Sequence, residues 1–138
     1  MIDRTRVDAW IEELRRGWSA GEPDAIGNLF TETVVYRASP FEEPLVGRDL
    51  VVSHWREELG GVDEAVVDFS LPLIDGDKVA VEWWAVVTRA GSATTDSGAL
   101  VLGFAGGLCS RLHEYWMLRD SALEAPERYR ILRGRASR

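Results

Sequence analysis

The residues whose types and spacing point to chemistry lie in one stretch, Val34 to Gly47, reading VVYRASPFEEPLVG. A β-rich run meets Ser39-Pro40, where proline's missing donor and fixed φ end regular pairing. The chain then loops through Pro44 to Gly47 before helical spacing resumes. Side chains two apart on a strand share a face, so Val35, Arg37 and Ser39 are expected together, with a cation and a hydroxyl where flanking apolar elements would otherwise build core. Arg37 there needs an anionic partner. The strong catalytic signatures are absent: there is no Walker loop and no GxGxxG. His54 and His113 show no HxH or HxxxH spacing, so no metal site is expected, and no cofactor is implied. Cys109 is the single cysteine, which excludes an internal disulfide. With no histidine set to activate it, it reads as a small buried hydrophobe.

Composition narrows the partners. At 138 residues with 46% hydrophobic side chains, the chain fits one soluble domain, and a net charge of −7 opposes binding to nucleic acid or to an anionic membrane surface. Residues from Arg128 onward break that balance, with five arginines and no acid, and read as a solvated basic tail that could also grip an anion. No apolar run reaches the roughly 18 residues of a spanning helix, and the start MIDRTRVDAW lacks a secretory apolar region, so a cytoplasmic location is expected. Six tryptophans either dominate a core or line a ligand cavity.

The elements that must position these residues follow from periodicity. Val7, Trp10, Ile11, Leu14 and Trp18 form one stripe of a helix over residues 3–20, stopped by Gly21. Pro23 opens a shorter helix, and Leu50, Val51, His54, Trp55 and Leu59 mark a third that ends at Gly60-Gly61. The period then changes to two. Strands are expected over Ala65–Ile74, Val79–Arg89, Thr95–Phe104 and Leu108–Leu118, joined by turns at 75–77, at 91–94 and at Gly106-Gly107. Three helices and one early strand, followed by an antiparallel meander of four, predict an α+β fold.

At this point the sequence resembles the nuclear transport factor 2-like superfamily, in its SnoaL-like and ketosteroid-isomerase-like branch. The resemblance rests on GEPDAIGNLFTETVVYRASPFEEPLVGRDLVVSHW and on FAGGLCSRLHEYW, and is most specific at the strand ending in Ser39-Pro40, at Gly47-Arg48 and at the strand from Gly107 to Trp116. It implies a SnoaL-like domain over residues 1–120, a cone-shaped curved antiparallel sheet wrapped around three N-terminal helices, and a tail over residues 121–138. It also implies an apolar pocket at the wide end and commonly a dimer through the outer sheet face. The isomerases' catalytic residues do not carry over: Ser39 stands in place of the aspartate base, Leu14 in place of the helix-one tyrosine, and Leu100 in place of the protonated aspartic acid. The Arg-x-Asp of the superfamily's epoxide hydrolases is missing from the strands. The acid and histidine that its polyketide cyclases carry on late strands correspond here only to His113 and Glu114, which as neighbours face opposite sides.

With the register that this resemblance implies, the pocket face carries Ala80, Glu82, Trp84, Val86 and Thr88, then Asp96, Gly98, Leu100 and Leu102, then Leu112, Glu114 and Trp116. Trp18, Trp55, Trp84 and Trp116 would form an aromatic wall around a small hydrophobic ligand, with His54 near the rim and Arg37 and Ser39 beside it. Glu82 is expected either as a general acid or base tuned by Arg37 or as that arginine's structural ion pair, with Asp96 and Glu114 as further acids. Trp83 and Tyr115 would then face outward, where a homodimer would cover them. Two functions stay open: a binding protein for a hydrophobic, ring-containing ligand, and a cofactor-independent isomerase, cyclase or hydrolase using Glu82 or Asp96.

Overall fold

The computed structural model describes residues 2–129. Apolar side chains recurring every third or fourth residue give α1 (Arg4–Ala20) a buried stripe of Val7, Trp10, Ile11 and Leu14. Asp3 caps it by accepting from the Arg6 N–H at 2.8 Å, and Gly21 ends it in the left-handed conformation. After α2 (Pro23–Gly27) the chain enters β1 (Phe30–Arg37), passes through a short β2 (Leu45–Val46) and returns to helix in α3 (Arg48–Leu59). The Gly47-Arg48 step has a physical reason. Gly47, at φ 103°, donates its N–H to Val34 O at 2.8 Å, while the Arg48 guanidinium donates to Phe30 O at 3.0 and 2.7 Å, pinning α3 to β1.

Strands β3 (Glu64–Phe69), β4 (Leu73–Asp75), β5 (Lys78–Arg89), β6 (Ser92–Ala105) and β7 (Leu108–Arg119) complete the chain. One seven-stranded sheet results, in the order β2-β1-β7-β6-β5-β3 with β4 also on β5. Its pairings are antiparallel except that of β1 with β7. The helices bury their stripes on one face of this curved sheet: Trp10 meets Phe30 and Phe104 edge-on at 5.8 and 5.4 Å, and its N–H donates to Leu29 O at 2.8 Å. This is the α+β architecture the sequence predicts. The run foreseen over Ala65–Ile74 is two strands, because Pro72 has no N–H to pair and the register on β5 shifts between Phe69↔Trp83 and Leu73↔Ala80.

One turn decides the face of every side chain on β5. Ala90 and Gly91, at φ 50° and 80°, form a two-residue connection with Arg89 opposite Ser92, where the spacing predicted a longer turn over residues 91–94. Odd residues of β5 therefore share a face with even residues of β6. Val79, Val81, Trp83, Ala85 and Val87 point into the core, and Glu82 and Trp84 point outward, the reverse of the expectation. On β1 the buried residues are likewise Val34 and Tyr36, which leaves Arg37 on the outer face, donating to Glu42 O at 3.2 Å. The expected contact between Arg37 and Glu82 does not form, since β7 and β6 lie between their strands. Trp83, 2% exposed, is also unavailable to a second copy; the apolar strip left on the outer face is Val101, Tyr115 and Met117.

Residues 121–129, the start of the expected basic tail, lie across that outer face. Thr95 Oγ1 donates to Ser121 O at 2.7 Å and accepts from Leu123 N at 2.9 Å, and the Trp84 N–H donates to Leu123 O at 2.9 Å. Tyr129, 3% exposed, packs its ring at 5.5 Å and a 54° tilt against Trp84 and donates its hydroxyl to Glu82 at 3.4 Å, with Arg128 over its ring at 4.6 Å. The other four arginines of the tail lie outside the described residues. Tyr129→Ala is expected to weaken this docking by about 1–2 kcal/mol, so that the stretch opens roughly 5 to 30 times more often. Limited trypsin digestion would read this as faster cleavage after Arg119 and Arg128 with the remaining chain intact; an unchanged rate would show that Tyr129 does not hold the stretch.

Candidate functional site

At the end of the sheet where β5 and β7 finish and β6 begins, helices and sheet diverge and leave a cavity of about 500 Å³. α1 supplies Trp18, α3 supplies His54, Trp55, Glu58 and Leu59, and the loop after β1 supplies Ala38, Ser39 and Glu42. From the strands come Trp83 and Arg89, Thr94 and Asp96, then Glu114, Trp116 and Leu118. The aromatic wall is built from packed indoles: Trp18 lies 5.1 Å from Trp55 and 5.3 Å from Trp83. Such tilted contacts fix ring orientation more sharply than aliphatic packing does. The Trp83 N–H is buried with no acceptor among the described residues.

The titratable groups are less symmetric. Glu114 accepts a hydrogen bond from the Tyr36 hydroxyl at 3.2 Å, and the Tyr36 ring lies 5.4 Å from His54. Burial pushes the Glu114 carboxyl up to about 7, the Tyr36 hydrogen bond opposes that shift, and the charges of Glu58 and Asp96 add to it. Burial, and then the charge of Glu114, holds the Tyr36 hydroxyl well above its usual range. Asp96 is raised by burial and by Glu58, with Arg89 acting against the shift. Arg89 donates to the Glu58 main-chain oxygen at 2.7 Å. A carboxyl that is half protonated near neutral pH can both give and take a proton, and here it stands in an aromatic-walled space.

The structure brings six of the expected residues to this cavity: Trp18, Ser39, Trp55, Asp96, Glu114 and Trp116. It does not bring Arg37, Glu82, Trp84 or Leu100. Arg37, Glu82 and Trp84 are on the other face for the register reason given above. Leu100, 4% exposed, stays in the core directly across from Glu114. Sequence reasoning missed Tyr36, Glu58, Trp83 and Arg89. Glu58 was legible as the residue one helical turn beyond His54, and Tyr36 as the neighbour of Val34 on a buried face, whereas Trp83 and Arg89 depend on the turn at Ala90-Gly91. Burial raises the Cys109 thiol to about 12, so it remains a protonated core side chain. Among the described residues no group of three His, Cys, Asp or Glu side chains could hold a metal ion, and no helix is long and apolar enough to cross a membrane.

Comparison with known proteins gives a family and a fold. A model of the SnoaL-like domain matches residues 9–112. No functionally curated protein sequence matches the chain. Among solved structures, the epoxide hydrolase/cyclase-like enzyme SalBIII, which has a role in pyran ring formation in the polyether salinomycin, superposes with a TM-score of 0.75 at 18% identity, covering 87% of this chain and 99% of that one. An epoxide hydrolase of the LEH-like type from Mycobacterium tuberculosis gives 0.69 at 16% identity, covering 82% and 84%. Rv0760c from Mycobacterium tuberculosis gives 0.70 at 13% identity, covering 85% and 95%. At these identities the likeness is one of fold.

Proposed function

Because the chain belongs to the SnoaL-like domain family, we propose that its cavity binds a small hydrophobic, ring-containing molecule and that Glu114 exchanges a proton with it. The observation that carries this reading is the Glu114 carboxyl itself, raised to about 7 inside a wall of tryptophans and hydrogen-bonded to Tyr36. Tyr36 donates to one carboxyl oxygen, so the proton of neutral Glu114 resides on the other. Asp96 is the second acid of the same space and serves as the complementary acceptor. Two fold relatives are by name an epoxide hydrolase and an epoxide hydrolase/cyclase-like enzyme. Epoxide opening and ring closure both require proton movement, which supports chemistry of this kind without identifying the reaction.

The binding half of this reading is tested by titrating tryptophan fluorescence with ring compounds. Trp116, 53% exposed at the mouth, has room to change without collapsing the core, and Trp116→Ala is expected to weaken any ligand so found about tenfold. Trp84→Phe, on the outer face, is expected to leave its affinity unchanged. The reverse pattern would move the ligand to the outer surface and end the proposal.

A further inference from the structure

The charges around the cavity do not balance. Its wall holds four carboxyls, Glu42 from the loop after β1, Glu58 from α3, Asp96 from β6 and Glu114 from β7, against the guanidinium of Arg89 from β5 and the imidazole of His54 from α3. α1 contributes no charge there, only Trp18, and β1 contributes the buried hydroxyl of Tyr36 behind Glu114. No ion pair among the described residues involves any of the four carboxyls. Arg89 directs its one hydrogen bond to a main-chain oxygen. Glu58, Asp96 and Glu114 thus repel one another across a space that a hydrophobic ligand would dry, and drying makes uncompensated charge more costly.

A second, independent feature is the wall. Trp18, Trp55, Trp83 and Trp116 come from two helices and two strands to one cavity, and the face of an indole is the best aromatic surface for a positive charge. We infer that the natural ligand is an organic cation, an amine or quaternary ammonium whose nitrogen lies against these indoles among Glu58, Asp96 and Glu114 and whose apolar remainder fills the cavity. The inference rests on the cavity being the ligand site and names the class of molecule it takes. An ammonium relieves the carboxylate repulsion, whereas a neutral ring leaves it in place and an anion adds to it. It also gives the shifted acids a shared role: a bound cation favours their charged forms, so binding releases a proton from Glu114.

The experiment compares two probes of the same shape, benzyltrimethylammonium and its uncharged carbon counterpart neopentylbenzene, by tryptophan fluorescence on the full chain. At pH 8 the ammonium is expected to bind at least about tenfold more tightly. That preference is expected to shrink at pH 5, where Glu114 is protonated, because the ammonium loses affinity while neopentylbenzene keeps or gains it. Glu58→Gln combined with Asp96→Asn is expected to abolish most of the preference by weakening the ammonium while neopentylbenzene binds at least as tightly as before, which also shows that the variant is folded. Equal or tighter binding of neopentylbenzene at pH 8, or a preference that survives the double substitution, overturns the cation assignment and leaves the cavity as a binding site. Failure of both probes to bind overturns the ligand-site reading itself.

Discussion

At pH 8, Glu114→Gln is expected to melt at a higher temperature than the unmodified protein while losing about a hundredfold or more of any turnover the cavity supports. Both halves follow from one fact. Burial raises the Glu114 carboxyl from the ordinary glutamate value of 4.5 to about 7, so the folded chain holds a proton that the unfolded chain has already released. Stability contributed by that group is present at acid pH and is lost as pH rises from about 4.5 to about 7. Above that window the folded state carries a buried carboxylate at a cost on the order of 3 kcal/mol. Glutamine keeps the shape and can still accept from Tyr36, but it never ionises, so the penalty disappears at pH 8 and has no counterpart at pH 4. Thermal melts at the two pH values check the prediction: a substitution that lowers the melting temperature at pH 8 would show that Glu114 is charged and compensated there. Retention of full turnover would remove it as the proton carrier and leave Asp96.

The largest structural effect is expected at Gly98. This residue sits on the concave face of β6 opposite Trp116, where a side-chain carbon would lie inside the contact distance of the Tyr115 carbonyl and 2.9 Å from the Trp116 Cα. The obstacles are backbone atoms of a paired strand, so they cannot rotate aside without breaking the β6–β7 ladder. Gly98→Ala is therefore expected to cost about 3 kcal/mol or more. Gly103→Ala is the control on the same strand, since its nearest neighbour is the Arg111 Cβ at 3.5 Å, an ordinary contact, and its expected cost is under about 1 kcal/mol. Urea midpoints separate the two. If Gly98→Ala unfolds at the wild-type midpoint, β7 does not approach that closely. The consequence reaches the site, because the same close approach holds Trp116 and Glu114 on the strand that closes the cavity.

Much of the architecture is legible in the sequence because it depends on local period. The stripe from Val7 to Leu14, the strand ended by Ser39-Pro40 and the Gly106-Gly107 turn each carry their own signal, and the structure has them. Which face of a strand points inward is a different kind of information, since the number of residues in a turn sets it and one residue more reverses it. Ala90 adopts φ 50° although nothing marks it as a turn former, so the Ala90-Gly91 connection was hidden and Glu82 and Trp84 exchanged places with Trp83. β6 and β7 escape the error because the bulge between Gly103 and Phe104 gives an even match, Leu100 to Glu114, which agrees with the register that the resemblance implies and places Asp96, Glu114 and Trp116 on one face. Tyr36 and Glu58 are hidden for a plainer reason: either parity of β1 offers a mixed polar and apolar face, Val34 with Tyr36 or Val35 with Arg37, and a glutamate in a helix resembles a solvated one until its neighbours are in place.

The parallel pairing of β1 with β7 places Phe30 beside Cys109 and Tyr36 beside Leu112, joining the beginning of the sheet to its end. During synthesis the helices and β1 emerge long before the strand that must cover them, and the Leu29 carbonyl waits for the N–H of Cys109. The loop that must close between β1 and β7 is more than half of the chain, so closure comes late and its entropy is paid before the contacts that reward it. The sheet is thus expected to be completed late in folding, and until β6 and β7 arrive Trp10 of α1 lacks its contact with Phe104.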